Sequence, residues 1–175
     1  MSLVYLLASL PGLALDAPLP ITPDPFLAAC RDQLDAATAA AAAALLEDRP
    51  DVHPFVRAWR DKEAILRNAV AARRAARRAV DPAPWLRATE GCDLRIGHAV
   101  EAAFQLSDPL ARERALDRLR WEVADELQGP DPMSEQAILA YAVRLRLAAR
   151  WARLQKEAGR ARAAALTDVS FEIAS

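Results

Sequence analysis

Glycine is scarce in this chain: there are five in 175 residues, scattered from Gly12 to Gly159, and none stands in a G-x-G or GK[ST] setting. The backbone therefore offers no glycine-rich turn to cradle a nucleotide's phosphates. Histidine is rarer still. His53 and His98 lie 45 residues apart, and neither has a Cys or His at a ligand spacing, so no metal is expected. His53, beside Pro54, reads as a cap or loop residue and His98 as a helix-surface one. The only cysteines, Cys30 and Cys92, each fall inside a helical pattern. They are expected to be buried small hydrophobes in a reducing compartment rather than a disulfide. No uninterrupted apolar run approaches 18 residues, so no segment is predicted to span a membrane. The apolar start from Met1 to Ala17 has no Lys or Arg before Arg31 and is broken at Pro11-Gly12, which argues against a secretory leader. Ser9 has no G-x-S-x-G elbow and no Cys/His pair is visible, so nucleophilic catalysis is not expected.

What is present belongs to a globular chain, with 53% hydrophobic and 27% charged residues. Its length fits one domain that buries roughly 70% of its unfolded surface. The net charge of −1 conceals a pattern: residues 1–52 carry two basic and seven acidic groups, residues 53–90 nine and four, and the remainder twelve and thirteen. Internal pairing of the acidic and basic segments is the simplest reading.

The stretch Ser134 to Gly159 is predicted to be the central helix, with Ser134 as cap, Glu135 in the first turn and Gly159 as a left-handed stop. Ile138, Tyr141, Ala142, Leu145, Ala148, Ala149 and Ala152 share one face, and Val143, Leu147, Trp151 and Leu154 share a nearly opposite one. A helix apolar on two sides has neighbours on both.

Along the chain, Leu3 to Leu10 reads as a short helix or a buried extended segment, and Leu13 to Ile21 as a linker. Thr22-Pro23 starts a helix, Asp35 caps a second one through the alanine tract Ala39 to Ala44, and Pro54 opens a long one to about Val80. The tract is ambiguous between close helix packing and an exposed face. In the long helix Phe55, Trp59, Leu66 and Val70 mark the buried side, with Glu63 breaking the repeat. Further helices run from about Asp93 to Leu106 and from Ser107-Asp108-Pro109 to Gly129-Pro130, the latter with Leu116, Leu119, Val123 and Leu127 on one face. Val169 to Ser175 reads as a frayed tail. The expected fold is all-α: a single-domain bundle of about five or six helices around a central C-terminal helix. Residues 1–21 form an apolar segment and linker, 22–166 the helical domain, and 167–175 the tail.

Glu122, Asp125 and Glu126 read as a solvated face with neighbouring arginines rather than an acid–base pair. The basic helix end Arg73, Arg74, Arg77 and Arg78 is the one candidate binding feature. It suits carboxylates on a partner protein. Alternatively, it could make the chain a stand-alone nucleic-acid-binding module that lays arginines on phosphates.

Several fragments, in order, resemble a known group. They are Tyr5 to Pro11, Ile21-Thr22-Pro23 with Phe26-Leu27, Cys30 to Leu34, and Leu66-Arg67-Asn68. They continue with Asp108-Pro109-Leu110, Glu113, Leu116-Asp117, Arg120-Trp121 and Asp125-Glu126-Leu127, then Ile138, Tyr141, Leu145, Arg150-Trp151 and Lys156-Glu157 before Gly159. The set is similar to an uncharacterised bacterial family encoded in operons of V-type (A-type) ATP synthase, and it spans most of the chain. Pro25 stands where an acidic residue is expected, and Pro132-Met133 where an aromatic is. Both departures touch helix starts. The resemblance implies a non-catalytic accessory or stalk-type subunit of a proton- or sodium-translocating rotary ATPase, without cofactor. It would have ATPase subunits as partners, and be cytoplasmic and peripheral to the inner membrane only through the complex.

Overall fold

The computed structural model describes residues 3–172, with side chains as far as Leu154. Seven α-helices follow one another: α1 (Leu3–Ser9), α2 (Pro23–Gln33), α3 (Ala36–Leu46), α4 (Pro54–Arg78), α5 (Leu94–Gln105), α6 (Pro109–Gln128) and α7 (Glu135–Glu172). A 3-10 turn, Ala83–Trp85, lies between α4 and α5. There is no strand among the described residues, and no described helix is long and apolar enough to cross a membrane.

The helix starts are built from local chemistry. The Asp35 carboxylate accepts from the N–H groups of Ala37 and Thr38, Asp108 does the same for Leu110 and Ala111, and Asp93 accepts from Ile96. Ser134 Oγ accepts from Ala137 N, and His53 Nδ1 from Phe55 N. Each bond satisfies a donor that the first turn leaves without a partner. Thr22 stands at the start of α2 but makes no such side-chain bond; Pro23 and Pro25 occupy the first turn instead.

Because His53 Nδ1 is an acceptor, its ring proton sits on Nε2, which donates to Glu135 at 3.1 Å. The Thr38 hydroxyl lies 2.6 Å from Asp35 Oδ2 and 2.5 Å from Glu135 Oε1. The starts of α3, α4 and α7 are thus tied at one junction.

Helix α7 passes between two layers, with α1, α2 and α3 on one side and α6, backed by α4 and α5, on the other. Every residue from Ala137 to Val143 is buried, so this part of the helix has neighbours all round. Tyr141 stacks on Phe26 with centroids 5.3 Å apart, and its hydroxyl donates to the Pro11 carbonyl at 2.9 Å. Burial pushes that phenol up to about 12. Four residues of the alanine tract, Ala39, Ala41, Ala42 and Ala44, are buried in a helix that packs on both α2 and α7, so the tract serves close packing.

Two expectations are corrected. Gly159 does not end α7, which continues to Glu172. One helical glycine costs only about 1 kcal/mol relative to alanine, and the alanines and arginines that follow are strong helix formers. Of the expected tail, residues 173–175 lie outside the described residues. Cys92 is not buried: it is exposed in the loop before α5, because that helix starts only at Leu94, after the Asp93 cap. Cys30 is buried as expected, and burial pushes its thiol up to about 12, against the smaller opposing effect of Arg31.

Candidate functional site

The four arginines at the end of α4 divide into two pairs. Helical spacing sets Arg73 with Arg77 and Arg74 with Arg78, each pair one turn apart and the two pairs rotated about 100° from each other. Arg73 faces α5 and pairs with Glu101 at 2.5 Å. Arg77 donates to the Phe104 carbonyl at the end of α5, and its guanidinium lies 5.0 Å from the centre of the Phe104 ring. That carbonyl is among those a helix leaves without an internal partner at its C-terminus. Arg73 and Arg77 therefore hold α4 to α5.

Arg74 and Arg78 face the other way. They border a groove of about 410 Å³ whose walls include Val70, Ala71, Val80, Trp85 and Leu116. Arg74 is 65% exposed and stands 3.8 Å from Glu113, too far for a hydrogen bond. Arg78 is exposed and makes no ion pair among the described residues. At the mouth, Trp85 is 59% exposed and Val80 46% exposed.

An exposed tryptophan on a connecting segment needs something to hold it. Asn68 of α4 supplies a reciprocal pair of bonds: its Nδ2 donates to the Arg87 carbonyl and its Oδ1 accepts from Arg87 N, both at 2.8 Å. Asp61, two turns earlier, accepts from Glu90 N at 2.9 Å. The segment is pinned at its backbone, and the indole is left in the open.

Behind the groove lies a buried ionic network. The Glu63 carboxylate accepts from Arg120 Nε at 2.9 Å, Arg120 Nη2 at 3.0 Å and Arg67 Nε at 2.8 Å. Arg120 Nη1 reaches Asp117 at 2.9 Å. The other Asp117 oxygen accepts from Arg150 Nη1 at 2.6 Å and from Trp151 Nε1 at 2.9 Å. Asp117 is fully buried, and the chain of contacts joins α4, α6 and α7.

Burial would raise the pKa of Glu63, but the charge and hydrogen bonds of Arg120, and then of Arg67, outweigh it and hold the carboxyl below its usual value. For Arg120, burial works against the cation, while Glu63 and Asp117 raise its pKa above the ordinary value. Asp48 is likewise held low: burial opposes ionisation, but Arg146 at 2.9 Å and Arg67 at 3.1 Å prevail. A carboxylate this firmly ionised is a poor proton donor at neutral pH. The network's chemistry is cross-linking.

His98 is on the exposed face of α5 and His53 is a cap. No three His, Cys, Asp or Glu side chains among the described residues are grouped so as to hold a metal ion. Glu122, Asp125 and Glu126 lie on the solvent side with arginine neighbours: Arg144 meets Asp125 at 2.6 Å, and Arg95 pairs with Glu126.

Sequence reasoning missed Glu63, Asp117 and Trp85 as elements of a site. Glu63 carried a signal, since it interrupts the Trp59–Leu66 stripe at a buried position. Asp117 gave less, being one acid in a charged helix. Trp85 gave none beyond its place in a proline-rich connection.

Residues 94–168 match the family described as "Protein of unknown function (DUF2764)". The matched span holds α5, α6 and the greater part of α7, including Asp117, Arg120, Arg150 and Trp151. No curated protein and no solved structure matches the chain.

Proposed function

We propose that the chain is a non-catalytic accessory subunit that works through protein–protein contacts, associated with a V-type rotary ATPase. The carrying observation is the division of the α4 arginines. Two are committed to α5, and two are left at the mouth of an apolar groove beside an exposed, backbone-pinned tryptophan. Tryptophan and arginine are the residues that most often dominate binding energy at protein interfaces. The ATPase association rests on the ordered fragments that resemble the operon-encoded family. Several of them supply the network that holds the groove's walls: Glu113, Asp117, Arg120, Arg150 and Trp151, with Asn68 pinning the tryptophan segment.

The division favours a protein partner over nucleic acid. An arginine helix that tracks phosphates needs its cations along one exposed line. Here Arg73 and Arg77 point at Glu101 and Phe104 instead.

The test is co-purification. The chain, tagged at its own locus and recovered after mild cross-linking, should bring ATPase subunits with it. Their consistent absence would remove the ATPase association.

A further inference from the structure

We propose that the groove between α4, the Ala83–Trp85 turn and α6 receives an acidic amphipathic helix of a partner protein. In this arrangement apolar residues of that helix seat against Trp85, Val70 and Leu116, and carboxylates pair with Arg74 and Arg78. The inference rests on the docking reading above, but not on which complex supplies the partner.

The shape of the groove argues for a helix. Its wall runs along α4 from Leu66 to Arg78, which at 1.5 Å per residue is about 18 Å, or roughly three turns of a helix laid alongside. Its volume of about 410 Å³ holds a few side chains rather than a whole folded surface. Helix-in-groove recognition uses such spacing, with anchors at i, i+3 or i+4, and i+7.

The charge argues for acidity. Of the groove's cations, Arg67 and Arg120 are already neutralised by Glu63, Asp48 and Asp117. Among the described residues Arg74 and Arg78 are not, because the carboxylate that lines the groove, Glu113, is engaged by Arg150 at 3.3 Å and only approached by Arg74. Arg74 and Arg78 stand one turn apart, matching carboxylates one turn apart on a facing helix.

A second copy of this chain is a poorer occupant. The acid-rich face of its own α6, with Glu122, Asp125 and Glu126, is already covered by Arg95 and Arg144. Two arginines are also too few for a lipid surface, where each cation contributes only about 1 kcal/mol.

The test is site-directed photocross-linking of the full chain in its native host, with Trp85→p-benzoylphenylalanine as probe and the exposed Val52 carrying the same probe as control. The expected result is one protein adduct at position 85, absent at position 52, whose cross-linked peptide is an acidic amphipathic helical segment. Arg74→Glu/Arg78→Glu in the probe-bearing chain should lower its yield at least about tenfold. Arg31→Glu/Arg57→Glu, the same charge change at two exposed arginines outside the groove's lining, should not.

If the adduct is an ATPase subunit, both readings stand. If it is an acidic helix of some other protein, the groove assignment stands and the ATPase association falls. An adduct with a second copy, a lipid or a basic segment, no adduct at all, or a yield indifferent to Arg74 and Arg78 overturns the proposal.

Discussion

Glu63 sits where the apolar stripe of α4 would take a hydrophobe, four residues after Trp59 and three before Leu66. Its side chain is only 7% exposed, and its ionisation depends on Arg120 and Arg67. Removing one partner of a buried pair strands the other, at a cost of about 3–5 kcal/mol. Arg120→Leu should therefore destabilise the fold by about that amount in urea titrations. Glu63→Leu/Arg120→Leu should cost less than the sum of its single changes, by about 1–3 kcal/mol.

The pH dependence has a definite sign. Folding lowers the pKa of Glu63 and Asp48, so their contribution is full above the unfolded values of about 4.3 and 3.9 and is lost as pH falls through the lower folded values. Stability should be level from pH 7 to about 5 and fall below about 4, with Arg120→Leu flattening that acid limb.

The two thiols should behave differently. Cys92 should react with a disulfide reagent at once in the native chain, and Cys30 only after denaturation. Cys30 titrates at about 12 when folded, so its contribution is complete below about 8.5 and declines above that. Two rapidly reacting native thiols would contradict the assignment.

At the scale of elements, the sequence was most readable where the cause is local. Asp35, Asp108 and Ser134 announce helix starts because a capping side chain bonds donors two or three residues away. The two apolar faces of α7 likewise announced neighbours on both sides. The alanine tract was undecidable, because which neighbour approaches an alanine is a tertiary fact. Gly159 misled for a related reason: a glycine permits a stop but does not impose one. Leu145, wholly buried where α7 passes between the layers, is the position at which to measure the core. Leu145→Ala should cost about 2–5 kcal/mol. A loss below about 0.5 kcal/mol would mean that α7 is not central.

For the whole molecule, the candidate site was half visible. Composition and spacing displayed the cluster Arg73, Arg74, Arg77 and Arg78, but a helix in isolation does not reveal which of its sides meets Glu101 and Phe104. Trp85 was invisible as a site residue because its exposure depends on Asn68 holding Arg87 from 19 residues away. The acidic first segment only partly neutralises the basic middle one: Asp48 meets Arg67, while Arg73 finds its carboxylate on α5 and Arg74 only approaches Glu113 of α6. That leaves Arg74 and Arg78 at the surface, where a partner can use them.

The most direct measurement compares two double reversals, each read for melting temperature and for recovery of the partner with the tagged chain. Arg74→Glu/Arg78→Glu should melt within about 3 °C of the wild type, a loss of no more than about 1 kcal/mol for a chain of this size, and lose the partner. Arg73→Glu/Arg77→Glu should melt several degrees lower, because it sets glutamates against Glu101 and the Phe104 carbonyl. If Arg74→Glu/Arg78→Glu folds normally and keeps its partner undiminished, the groove end of α4 is not the docking surface.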